Sequence, residues 1–249
     1  MRFLRGLCLL GWGLLNGCTA PTLTPSQTAK PMSLSTPHHV GAQACASCHQ
    51  QQVKEWQVSH HAAAMQPATP KTVLGNFDNQ SFSHGGVTSK FYRKGYQYWV
   101  RSDGPDGKMH DYPVHYTFGV YPLQQYLLPL DRGRLQALSV VWDSRPKAQG
   151  GQRWYHLYPD DKMDRSDILH WTGIYQNWNY MCADCHSTGV NKGYDASTKS
   201  FKTSWAEVNV ACESCHGPAS SHLEWAEAAP ARQSDWNSKG LTRSLGQAG

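Results

Sequence analysis

Six of the eight cysteines in this 249-residue chain form three C-x-x-C pairs, and each pair is followed by histidine: CASCH (45–49), CADCH (182–186) and CESCH (212–216). Two thiols one helical turn apart can reach the two vinyl groups on adjacent edges of a porphyrin. A histidine directly after them is then carried under the iron. The pattern therefore reads as covalent attachment of three haems c. Cys45, Cys48, Cys182, Cys185, Cys212 and Cys215 are the anchors, and His49, His186 and His216 the proximal ligands. Two rival chemistries fit less well. A redox dithiol calls for a βαβ setting that none of the three positions shows. A four-thiolate zinc site could join two pairs, but Cys185 and Cys212 are separated by 26 residues. It would also leave the third pair, and the histidine after every pair, without a purpose.

Three haems offer six axial positions, and the motif histidines fill three. Ten histidines remain, and position ranks them. His61 follows EWQVS just after the first motif, His170 precedes the second beside Trp171, and His222 follows the third by six residues across a Gly-Pro turn. These three are the expected distal metal ligands. His60 competes with His61, while His84 and His115 stand in reserve. His38 and His39 read as solvated, and Met65, at the end of a short helix, reads as core rather than as an axial thioether.

Elements must position these groups. Residues 41–70 read as a haem-binding turn followed by a helix over KEWQVSHHAAAM. From 75 to about 160, aromatic or β-branched residues alternate with polar ones, which predicts an antiparallel sheet of four to six strands. Its tips fall near Gly104-Pro105-Asp106-Gly107 and Gly150-Gly151. From Arg165 the pattern turns helical through SDILHWTGIYQNWNYMCADCH, with Ser166 as N-cap. Two more short helices are expected around Trp205–Val208 and His222–Ala229. The fold class is thus α+β, with helical segments carrying CxxCH motifs on either side of an antiparallel β-sheet segment. Hydrophobic residues make up only 39% of the chain, and its ten Trp and twelve Tyr suit packing around large flat cofactors.

The N-terminus reads as an export signal. MRFLR is positive, GLCLLGWGLL is an apolar run too short to span a bilayer, and Leu15-Asn16-Gly17-Cys18 resembles a lipoprotein site with Cys18 as the lipidated residue. An ordinary secretory signal is the alternative, and both readings export the chain. The expected organisation is a signal over 1–18, a Thr/Pro/Ser-rich tether over 19–40, a multihaem domain over 41–230 with its β-rich segment at 75–160, and a polar tail over 231–249. Localisation is then the periplasm or cell surface, as an outer-membrane lipoprotein held to the membrane by its lipid. Formal charge is +5, but Arg2 and Arg5 lie in the signal and the other basic residues form no run, which argues against nucleic acid.

Taken together, ACASCH…EWQVSHHAAAM, DGPDGKMHDYPVHYTFGVYPLQQYLL, WDSRP…GGQRWYHLYPD, LHWTGIYQNWNYMCADCH and CESCHGPASSH resemble the cytochrome c-552/c-554-like multihaem cytochromes, in the subset usually followed by tetratricopeptide repeats. The resemblance covers about residues 40–230. It implies closely spaced, mostly bis-His haems working outside the cytoplasm. It also implies distal ligation by the histidine of S-x-H and by the one after CHGP, here His61 and His222. Relatives continue with further motifs and helical repeats, so the resemblance implies that a chain stopping at Gly249 is truncated. The leading functional expectation is electron transfer rather than enzymatic catalysis, with other redox proteins or a quinol-linked donor as partners. The alternatives are reduction of a nitrogen or sulfur oxyanion at one open-coordination haem, served by His115, Tyr116, Arg132 and Arg134, and a sheet acting as an interaction module.

Overall fold

The computed structural model describes residues 36–233 and 236–243. The expected signal, Cys18, and the tether up to residue 35 lie outside them. The chain opens with two short helices, α1 (Ala42–Cys45) and α2 (Gln50–Gln57), then a strand β1 (Met65–Pro67). Four strands follow as a meander: β2 (Gln80–His84), β3 (Val87–Lys94), β4 (Gln97–Asp103) and β5 (Met109–Pro113). Next come β6 (Tyr116–Phe118), β7 (Leu123–Leu130), β8 (Arg134–Ala137), β9 (Val140–Asp143) and β10 (Arg153–His156). The C-terminal part holds α3 (Trp178–Met181), α4 (Ala183–His186), a small hairpin β11 (Tyr194–Asp195) with β12 (Ser200–Phe201), α5 (Cys212–His216), α6 (Ser220–Glu227) and α7 (Pro230–Gln233).

The α+β expectation holds, but the single sheet becomes two. One has the order β2-β3-β4-β5; the other runs β1-β6-β7-β9-β10, with β8 also paired to β7. All pairings are antiparallel. The Gly104–Gly107 tip forms as expected: Gly104 N–H donates to the Lys108 carbonyl at 2.8 Å, and Gly107 takes φ +75°, a conformation that costs glycine nothing.

β7 explains why one sheet was too few. Its successive side chains alternate between two cores. Tyr126 and Leu128 join Phe77, Phe91, Tyr98, Trp142 and Trp154 on one face. Leu127 joins Met65, Phe118, Ala137, Trp178 and Ala183 on the other. A strand buried on both faces reads as a continuous apolar run, so its sequence does not declare a second layer. Eight aromatic residues are buried in the first core and pack on one another; Phe91 and Trp154 stack with centroids 3.6 Å apart.

Three helix expectations need correction. α2 ends at Gln57, before His61, because the Ser59 hydroxyl donates to the Trp56 carbonyl at 2.7 Å and so competes for the end of the helix. The run from Arg165 is not one helix but turns followed by α3 and α4. Here the side chains of QNWNY bond across the fold: Asn177 caps α3 by accepting from Tyr180 N–H, and Asn177 Nδ2 donates to Gln136 Oε1 at 2.9 Å. Asn179 accepts from Leu135 N–H at 2.7 Å and donates to Thr203 Oγ1 at 2.8 Å. Residues 205–208 form no helix, since Ala206 N–H instead donates to the Thr188 carbonyl at 2.8 Å. The tail is also less free than its polarity suggests. Arg243 N–H donates to the His216 carbonyl at 3.2 Å, and Gly217, at φ +75° after α5, lets Thr242 approach where a Cβ would collide.

Candidate haem sites

Each C-x-x-C-H stretch turns once, as the spacing requires. His49 N–H reaches the Cys45 carbonyl at 2.9 Å, Cys185 N–H reaches that of Cys182 at 3.1 Å, and CESCH is helical throughout as α5. In every pair the first thiol is half-buried and the second exposed: Cys45 with Cys48, Cys182 with Cys185, Cys212 with Cys215. Burial, followed by the neighbouring Cys212 and then Glu213 and Glu207, pushes the Cys45 thiol up to about 11. Burial, then Cys185, does the same to Cys182. Reactive thiols have depressed values instead, so neither Cys45 nor Cys182 is poised as the nucleophile of a redox dithiol. Among the described residues no three His, Cys, Asp or Glu side chains gather closely enough to hold a metal ion.

The Cys45–Cys212 contact shows that the first and third motifs, 167 positions apart, abut. Segment 205–214 joins them. Asn209 Nδ2 donates to the Ala62 carbonyl at 2.9 Å, and Trp56 Nε1 donates to that of Val210 at 2.7 Å. Thr188, two residues past His186 and fully buried, donates to the Asn209 carbonyl, pairs with Ser214 Oγ, and accepts from Ala211 N–H. Glu207 receives Ala42 N–H at 3.1 Å, and Glu213 receives Val40, Gly41 and Ala219 N–H. None of these ties is visible in the sequence, because each depends on which distant backbone arrives.

The His222 ring lies beside that of His49. Their ring centroids are 6.2 Å apart and their planes differ by 27°. Two imidazoles bound to one metal through bonds of about 2.0–2.1 Å would place their centroids roughly 6 Å apart. His222 Nδ1 is 2.8 Å from the Lys239 carbonyl, which can only accept, so Nδ1 carries the proton and Nε2 keeps a lone pair. Trp225 stacks on the ring at 5.4 Å and fixes its plane. His186 follows the same logic. Its Nδ1 donates to the Ala64 carbonyl at 3.2 Å, Phe118 packs on it at 4.1 Å, and burial lowers its pKa, which favours the neutral ring a ligand needs. The residues therefore fit the group the motifs imply.

The other histidines fare differently. His61 is exposed on a turn, its carbonyl held by Val210 N–H at 3.3 Å. His170 is buried and occupied on both ring nitrogens: Nε2 pairs with Asp103 at 2.9 Å and Nδ1 with Thr172 at 2.8 Å. That arrangement leaves no nitrogen for iron. His216 is exposed, and its backbone is covered by Arg243 and Thr242. His39, expected to be solvated, packs its ring against Gly189 just past the second motif, and the His38 backbone is tied to Ser220. His84 stacks on His156 at 4.0 Å, and Met65 is core, as expected. The groups proposed for oxyanion chemistry do not converge. Tyr116 packs on Trp205, whereas Arg132 and Arg134 line a separate cavity of about 630 Å³ with Tyr180 and Tyr194.

The His170–Asp103 pair carries a pH prediction. Burial pushes the Asp103 carboxyl up, but the His170 hydrogen bond and charge, with Ser102, outweigh it and hold it below the usual value. A depressed carboxylate contributes stability that is complete above its unfolded value, about 3.9, and is lost as pH falls through the folded one. Asp103→Asn should therefore flatten the acid limb of a melting-temperature profile below about pH 4. An unchanged acid limb would assign that loss to other groups.

No curated protein and no solved structure matches the chain. Residues 44–83 and 141–217 match the family described as cytochrome c554 and c-prime, which spans all three C-x-x-C-H motifs and supports a c-type cytochrome with covalently bound haem and an electron-transfer role.

Proposed function

We propose that the chain is an exported carrier of three covalently attached haems c that relays electrons between other redox proteins or a quinol-linked donor. The observation that carries this reading is the pairing of His49 with His222 at 6.2 Å, each on a segment tied to a C-x-x-C-H motif. An iron held by two imidazoles has no open position, so it supplies a one-electron couple rather than a substrate site. His186 and His216 would hold the other two irons. His61 is the distal candidate on an exposed turn, while His170 is committed to Asp103. The contact between Cys45 and Cys212 puts two of the C-x-x-C pairs side by side, which supports a relay. Export rests on the N-terminal signal and Cys18.

The test is the mass of the protein isolated from a host that matures c-type cytochromes. It should exceed the polypeptide by three haems, with a haem c spectrum in alkaline pyridine. Cys→Ala at both thiols of any one motif should remove one haem and leave two. A mass with fewer haems overturns the triple-haem reading, and a haem-free mass overturns the whole proposal.

A further inference from the structure

Glu213, inside the third motif, is 2% exposed. Its carboxylate accepts Val40 N–H at 3.0 and 3.1 Å, Gly41 N–H at 2.8 Å and Ala219 N–H at 2.8 Å. No Lys, Arg or His among the described residues lies within ion-pair distance of it. Three amide donors satisfy its lone pairs but leave the net charge in place. Glu207 places a second carboxylate nearby: Oε1 receives Ala42 N–H at 3.1 Å, and Oε2 is buried without a partner. Gly41 and Ala42 begin the helix that leads to Cys45 and His49, and Glu213 shares its own helix with Cys212, Cys215 and His216.

We infer that Glu213 is a positioning residue that also serves as a buried negative charge shared by the first and third haem sites, holding both at lower reduction potential than the second. The inference rests on the haem reading above. Geometry supplies both parts. The carboxylate clamps the backbone entering motif 1 to the helix of motif 3, so it sets how the two sites face each other. A charge away from water is weakly screened, and it favours Fe³⁺ over Fe²⁺ in whatever iron lies near it.

The experiment is a potentiometric titration of the haem-loaded protein, following the haem absorbance. In E213Q, with three haems still attached, the reduction equilibria of two haems should move tenfold or more toward Fe²⁺, about 59 mV for one electron. Losing the motif 2 haem, through Cys182→Ala with Cys185→Ala, should leave that shift intact. E213D keeps the charge and should stay closer to the parent than E213Q, while E207Q should shift in the same direction by less. Unchanged potentials in E213Q, or an equal shift in all three haems, would overturn the inference. If E213Q fails to take up three haems, E207Q decides, and unchanged potentials there overturn it. Haem content is read in the same samples, so a failure of the haem reading is seen separately as a missing haem.

Discussion

His222→Ala should convert one haem of the oxidised protein from low to high spin, leaving the spin states of the others unchanged. Low-temperature electron paramagnetic resonance reads this directly. The reason is the 6.2 Å approach of His222 to His49, with Nε2 left as the only nitrogen free to bind. Removing the ring opens the distal face of the first site, and added imidazole should restore the low-spin signal. The fold should survive, because α6 is still packed by the segment around Lys239 and its neighbour Trp225 is untouched. His170→Ala is the contrast. It should leave every spin state unchanged, because both of its nitrogens are already bonded within the protein. A wholly low-spin spectrum in His222→Ala would remove His222 from the ligand set.

Trp178→Ala should cost about 3–5 kcal/mol of unfolding free energy, the usual range for deleting a buried tryptophan. Trp178 is fully buried between Met65, Phe118, Leu127 and Ala137 and meets Trp205 edge-on at 5.7 Å. It also lies one helical turn before Cys182, whose N–H donates to the Trp178 carbonyl at 3.1 Å. Collapse there should loosen the second motif as well as the core. Urea unfolding of the haem-loaded protein gives the number. Trp178→Phe should lose less than half as much, because it keeps most of the buried area and removes an indole N–H that has no partner. Equal losses in both variants would mean that the bulk a phenyl ring retains does not hold the site, and would overturn this account of the packing.

The contrast between His222 and His170 shows how far sequence can reach. Both were chosen for standing near a motif, and nearness along the chain is weak evidence of facing an iron. His222 packs against the histidine of the first motif, not of the third that it follows. That depends on Glu213 and segment 205–214 folding the two ends of the chain together. His170 precedes the second motif closely, but β4 brings Asp103 to it from 67 residues away. Helix lengths failed for a related reason. Ser59 turns its hydroxyl back onto the Trp56 carbonyl three residues away, and the side chains of Asn177 and Asn179 are claimed by distant partners.

What the sequence determined by itself was local chemistry. Cys-x-x-Cys-His specifies two thiols and an imidazole within one helical turn, wherever that turn ends up, so the turn itself and the c-type cytochrome chemistry it implies are legible from five-residue windows. Alternation along 75–160 specified strands, because side-chain direction repeats every two residues regardless of partner. Tertiary structure decided everything that needs two distant segments to meet: a sheet buried on both faces, the Cys45–Cys212 contact, the buried carboxylate of Glu213, and which histidine faces which. Axial ligation across an iron is such a meeting, since the two imidazoles must approach from opposite sides, and one chain segment can supply only one of them.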